Sequence, residues 1–176
     1  MITIAVVAGM LVAAVMQVAF APYFPIGGAT FDVPLIALVL ILRLRGPRTT
    51  MVALPVLAVW TAFLLNRSAA LMLIGYLPLL PLAFWLDESG PPVGAILRTL
   101  AVTVVTGGWA RFVLSLGVIG AGADPALSVL VWKVLLPGFF LDLALLVVAY
   151  VPLRFIGWEA RSTRLQRGGF SAYERL

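Results

Sequence analysis

Residues 132–143 read WKVLLPGFFLDL. A lysine opens the stretch, a proline and glycine break it, and an aspartate sits near its end. Everything on either side is apolar. How this run is read depends on the rest of the chain, which is 63% hydrophobic, 11% charged and has a mean hydropathy of +1.14. A soluble domain is roughly 45–50% apolar and about 25% charged. A water-soluble fold of 176 residues has no interior large enough for so much oil. The chain reads as an all-α, polytopic membrane bundle. Lys133, Pro137, Gly138 and Asp142 then lie inside a span, where each needs a physical reason.

The composition also narrows the chemistry. There is no cysteine, so thiol chemistry and Cys-based metal sites are excluded. There is no histidine, the commonest general base and metal ligand. The sequence contains no GxxxxGK[ST], G-x-S-x-G or H-E-x-x-H motif. Asp87-Glu88 is a lone acidic pair, read as a solvated turn. No catalytic residue, cofactor site or metal site is expected. The net charge of +5 comes from arginines between oily segments, so it speaks of topology and not of nucleic acid.

A helix needs about 20 apolar residues to cross a core of about 30 Å. Six candidates emerge, at residues 2–20, 31–44, 51–66, 69–86, 94–122 and 126–156. The second and third are short. The breaks carry turn chemistry: Pro22, Pro25, Gly27 and Gly28; Gly46 and Pro47; Asn66; Gly90, Pro91 and Pro92; Asp124 and Pro125. Asp124 before Pro125 reads as an N-cap followed by proline at the first helical position. Ala19-Phe20-Ala21 has the look of a signal-peptidase site. With no basic segment ahead of it and Pro22 just after, the first span is expected to be retained.

Alternate crossings sort the basic residues. One side collects Arg43, Arg45, Arg48, Arg98, Arg154, Arg161, Arg164, Arg167 and Arg175; the other collects only Arg67. The positive-inside rule then puts both termini in the cytoplasm. The expected organisation is a six-helix transmembrane domain over 1–158 and a basic cytoplasmic tail over 159–176. That tail suits either anionic headgroups or water. Trp85, Trp132, Trp158, Tyr23 and Tyr150 fit interfacial belts, whereas Trp109 is too deep.

Two stripes run at four-residue spacing, which keeps residues on one helix face. Ala5, Gly9, Ala13 and Gln17 mark the first span; Thr99, Thr103, Gly107, Arg111 and Ser115 mark the fifth. Small residues let another backbone approach closely. The fifth-span stripe is expected to pack inside the bundle. The first-span stripe is expected to meet another protein, with Gln17 hydrogen bonding across the contact.

Arg111, Lys133 and Asp142 fall within the last two spans, where charge is expensive and normally faces the bundle interior. Measured from the end opposite the arginine-rich side, Lys133 lies roughly 10 Å in, Arg111 roughly 16 Å and Asp142 roughly 24 Å. Lys133 can snorkel outward. Arg111 and Asp142 are within reach of each other if the two helices are neighbours. An Arg111–Asp142 bridge is the expectation, in preference to a proton or ion path. Pro137 and Gly138 are expected to bend a helix too long to cross straight. Asp32 is expected at a helix N-terminus, where a carboxylate is favoured.

Three stretches give the chain a family likeness: FDVPLIALVLILRLRGP, LLNRSAALMLIGYLPLL and VLLPGFFLDLALLVVAYVPLRFI. Together they resemble MreD, the integral-membrane rod-shape-determining protein of bacteria. Asp32 takes the place of the family's aspartate ahead of an aliphatic helix. Pro137, Asp142, Pro152 and Arg154 match places in its closing helix. The chain departs from the family at LAVWTAFLLN, which lacks the usual glycines and has Asn66 near the position of an aspartate. It also departs at Asp142, where the family commonly has asparagine. The resemblance implies a non-enzymatic scaffold of the cell-elongation machinery in the bacterial cytoplasmic membrane. Its implied partners are the bitopic protein MreC, MreB filaments, the SEDS glycosyltransferase and the class B penicillin-binding transpeptidase. The family's fold is similar to that of the substrate-binding S components of energy-coupling-factor vitamin transporters. Such a component is the alternative reading. It would need an outward-facing cavity with several polar groups, for which the sequence offers Trp109, Arg111 and Lys133.

Overall fold

The shortest expected span lies at the centre of the molecule. The structure, a computed structural model, describes residues 2–26, 28–86, 92–120, 122 and 127–155. Several expectations fall outside these residues: the Asp87–Glu88 pair, the turn signals at Gly27, Gly90 and Pro91, the Asp124–Pro125 cap, Trp158 and the basic tail. The same holds for the side chains of Ala5 and Arg154.

The helices are α1 (Ile2–Ala19), α2 (Val33–Arg45), α3 (Pro47–Leu64), α4 (Ala69–Tyr76), α5 (Leu79–Leu86), α6 (Pro92–Gly120), α7 (Leu127–Val129) and α8 (Leu136–Phe155). A 3-10 turn, Ala21–Tyr23, follows α1, and a π-helical stretch, Leu130–Leu135, joins α7 to α8. Among the described residues the only β-type pairing is an isolated bridge between Ile26 and Ala29.

Helix α2 touches α1, α3, α5, α6 and α8. Leu35, Ile36, Leu38, Val39 and Leu42 are all buried, so this helix is apolar on nearly every side for the reason a core helix is. Its 13 residues rise only about 20 Å, short of a bilayer core of about 30 Å. Five other stretches are long and apolar enough to cross: Val6–Tyr23, Pro47–Leu64, Ala69–Leu86, Gly94–Gly120 and Val131–Leu153. Their number and composition fit a multi-pass membrane protein.

Local chemistry explains where the helices depart from the expected boundaries. Helix α3 starts at Pro47, not near 51, because proline is preorganised for a first helical position and has no N–H to leave unsatisfied. The run expected to be continuous over 69–86 is divided at Leu77–Pro78. Pro78 has no N–H to donate to the carbonyl of Ile74, four residues back. The indole Nε1–H of Trp109 donates to that carbonyl instead, at 3.0 Å. Trp109 therefore has a task at membrane depth that an interfacial belt would not give it. Tyr150 also leaves the expected belt, since it is buried. Tyr23, Trp85 and Trp132 are exposed.

The irregularity in the last span precedes Pro137. The Leu136 N–H reaches back to the carbonyl of Val131, a five-residue π step. Gly138 faces the Arg111 guanidinium.

Candidate functional site

Five polar side chains, Gln17, Asp32, Tyr76, Arg111 and Asp142, gather around the first turn of α2. Helix N-termini expose N–H groups with no intrahelical partner, and in hydrocarbon no water supplies one. Here every such group is accounted for. Val33 N–H donates to Gln17 Oε1 at 2.8 Å. Pro34 has no N–H. Leu35 N–H donates to Asp32 Oδ1 at 3.0 Å, so Asp32 is the N-cap. Ile36 N–H begins the helical pattern on the Asp32 carbonyl. The N–H of Asp32 itself donates to Asp142 Oδ1 at 2.7 Å, from 110 residues away. Tyr76 Oη–H donates to the Asp32 carboxylate, 2.9 Å from Oδ1 and 3.1 Å from Oδ2.

Arg111 completes the cluster. Its Nη1–H donates to Asp142 Oδ2 in a buried ion pair. Its Nη2–H donates to the Thr30 carbonyl at 3.1 Å. Both Asp142 oxygens are thus occupied, one by a guanidinium and one by a backbone N–H. A buried charge survives only when paired and hydrogen bonded in this way.

Two glycines make the room. Each charged residue lies four positions after one: Gly107 before Arg111 on α6, Gly138 before Asp142 on α8. A Cβ on Gly107 would sit 3.2 Å from Asp142 Oδ2 and 3.0 Å from Leu35 Cδ2. A Cβ on Gly138 would overlap the Arg111 guanidinium, with Cζ only 2.7 Å away. The glycine expected to bend α8 is the slot that receives the arginine.

Comparison with family models, with curated proteins and with solved structures returns no match to this chain.

A cavity of about 360 Å³ adjoins this cluster, lined by polar groups that include Gln17, Thr30, Asp32, Thr61, Arg67 and Arg111. Arg67, alone in sequence as the one basic loop residue on its side, stands exposed at this cavity. The Thr61 hydroxyl is buried and makes no hydrogen bond to a described residue. Among the described residues no group of His, Cys, Asp and Glu is arranged to hold a metal ion.

The far end of α2 is tied as well. Arg43 donates to the Leu86 carbonyl at 3.4 Å and to Tyr150 Oη at 3.3 Å, joining α2 to α5 and α8.

The stripes divide. Thr99, Thr103, Gly107 and Arg111 are buried, all facing the chain's own interior. Their neighbours' carbonyls absorb the hydroxyls: Thr99 donates to Ala95, Thr103 to Thr99 and Ser115 to Arg111. The stripe on α1 does not form one outer face. Gly9 is exposed, Ala13 is buried, and Gln17 Oε1 caps α2 within the chain. A four-residue step drifts about 40° on an ideal helix, which is enough to turn the stripe inward along its length. Lys133 is exposed, near the same end as Arg67.

Sequence reading found Arg111, Asp142 and Asp32 but not Tyr76 or the inward role of Gln17. The signal for Tyr76 was present: a tyrosine within an apolar span needs a partner for its hydroxyl. Nothing in the sequence alone pairs it with Asp32.

Proposed function

We propose that this chain is a non-enzymatic scaffold of the MreD type, working in the cell-elongation machinery of the bacterial cytoplasmic membrane. In this reading it binds the bitopic protein MreC and links it to MreB and to the SEDS glycosyltransferase and class B transpeptidase of peptidoglycan synthesis. Both termini are cytoplasmic, and α2 counts as a sixth crossing. The irregular chain before it, which lines the cavity, covers the remaining thickness. Non-helical backbone at membrane depth is tolerated in such a position.

The observation that supports this reading is the contact between Asp32 and Asp142. Two of the three stretches that carry the family resemblance meet there, through the two acidic residues that the resemblance singled out. Arg111 and Asp142 are engaged with Asp32 in fixing α2, a structural use that favours a scaffold.

A second reading has an observation of its own. The cavity beside Arg67, Gln17 and Asp32 is the kind of polar recess a substrate-binding S component of an energy-coupling-factor transporter requires. One experiment separates the two: affinity purification in mild detergent, with mass spectrometry of both proteins and small molecules. The scaffold reading expects a bitopic partner and cell-wall synthases. Recovery of a paired ATPase and a stoichiometric vitamin overturns it in favour of the transporter component.

A further inference from the structure

The network at the α2 cap is one positive charge short. Asp32 and Asp142 bring two carboxylates to it, and Arg111 brings one guanidinium. That guanidinium pairs with Asp142 and donates to the Thr30 carbonyl. Asp32 forms no ion pair with a described residue. Its carboxylate takes two donors, the Leu35 N–H and the Tyr76 hydroxyl. An ionised carboxylate offers about four lone-pair sites, so about two remain open.

Asp32 also lines the cavity beside the cap. A carboxylate held among apolar helices without a counter-charge costs free energy, which a cation in the cavity offsets. The open positions are acceptors, so a matching cation brings N–H donors. A quaternary ammonium brings none. A metal ion wants several hard ligands, and among the described residues no group of His, Cys, Asp and Glu is arranged to hold one. A primary ammonium carries three donors on one compact charge. Gln17 Oε1, also at the cavity, takes the Val33 N–H and has a second lone pair for the same group. Much of the remaining wall is aliphatic, from Leu65, Leu114, Val118 and Val134, which suits a hydrocarbon body.

We propose that this cavity binds the primary ammonium group of a small aliphatic amine, held by the Asp32 carboxylate. Its volume falls at the small end of the range for small-molecule sites, about 300–1,000 Å³. Arg67 lies at the same cavity but does not supply the missing charge, since it is exposed and makes no ion pair with a described residue. Its place allows two sources for the ammonium: a plain alkylamine, or a zwitterion whose carboxylate reaches Arg67. The site stands on the cavity and the charge balance and does not depend on the scaffold reading.

The test uses the full chain purified in a non-ionic, amine-free detergent buffer at neutral pH. Two probes are titrated by isothermal calorimetry: n-butylamine and L-norvaline. Binding of butylamine supports a plain amine; binding of norvaline alone, lost in Arg67→Gln, supports a zwitterion. Either probe is expected to lose roughly tenfold or more in affinity with Asp32→Asn, the scale of one charge-assisted bond. Asparagine keeps an acceptor for the Leu35 N–H, so this variant is expected to stay folded, which a parallel thermal scan checks. Val118→Trp narrows the cavity without touching the cap and is expected to weaken both probes. If neither probe binds at about 1 mM, the proposal fails. It also fails if Asp32→Asn or Val118→Trp binds as well as the wild type. None of these failures bears on which proteins co-purify, so the scaffold reading is judged separately.

Discussion

Gly138 leaves open the space that the Arg111 guanidinium fills. A Cβ at 138 would come within 2.7 Å of Cζ and 2.8 Å of Nη2. Arg111 cannot retreat easily, because its two Nη groups are bonded to Asp142 and to the Thr30 carbonyl. Gly138→Ala is therefore expected to destabilise the fold by about 1–3 kcal/mol, the usual cost of overpacking. Gly108→Ala supplies the control. It lies in α6 with nothing within 4 Å of its added Cβ, and alanine is the better helix former by up to about 1 kcal/mol. Thermal unfolding in detergent should show the two substitutions moving in opposite directions.

The Arg111–Asp142 pair makes a second prediction. Removing one partner strands the other charge, so Asp142→Leu or Arg111→Met should each cost about 3–5 kcal/mol. The double variant Arg111→Met with Asp142→Leu should cost less than the two singles combined, since no charge is then left alone. A charge swap is expected to rescue only in part. Asp142 also accepts the Asp32 N–H, and an arginine at 142 would present a donor to a donor. Equal stability of the swapped and native pairs would show that the Asp32 contact carries no weight.

Why was this pair legible in the sequence when its surroundings were not? Arg111 and Asp142 are opposite charges within reach of each other on helices adjacent in sequence, and hydrocarbon leaves such groups few choices. Asp32 was legible through a local rule, because an N-cap is defined by residues a few positions away. Gln17 and Tyr76 answer to α2 from helices whose rotation about their axes no periodicity fixes, since every face of these spans is apolar. The same absence of an amphipathic signal hid which helix was central. The length of α2 was visible, but its shortness reads equally as a peripheral helix until the packing is known. Gly138 was noticed for the wrong reason: glycine next to proline suggests a bend, and only the position of Arg111 shows a slot.

The capping of α2 supports a third prediction, with a graded outcome. Asp32→Asn keeps an acceptor for the Leu35 N–H and is expected to be the mildest change, since asparagine caps nearly as well as aspartate. Asp32→Ala strands both the Leu35 N–H and the Tyr76 hydroxyl and should cost about 2–6 kcal/mol, at about 1–3 kcal/mol for each unsatisfied buried group. Tyr76→Phe removes only the hydroxyl and should fall near 1 kcal/mol. In the Asp32→Ala background, Tyr76→Phe should become neutral or stabilising, because it removes a stranded donor. Amide hydrogen exchange at Val33, Leu35 and Ile36 gives a local readout: protection should fall with Asp32→Ala and with Gln17→Ala, but little with Tyr76→Phe.

Trp109 and Pro78 are coupled through a carbonyl that belongs to neither. Pro78 cannot donate to Ile74, and Trp109 does so in its place. Ile74 and Trp109 are both exposed on the bundle surface, where the surroundings in a bilayer are hydrocarbon and the carbonyl has no water to turn to. Trp109→Phe keeps an aromatic ring but loses the donor, and is expected to cost about 1–3 kcal/mol. Pro78→Ala restores an N–H four residues after Ile74 and lets α4 run on into α5. In that background the carbonyl has a second source of bonding, so Trp109→Phe should cost at least about 1 kcal/mol less than it does in the native chain. The double-mutant cycle in detergent measures this difference directly. Strict additivity would mean that the indole bond is incidental and that the division between α4 and α5 has another cause.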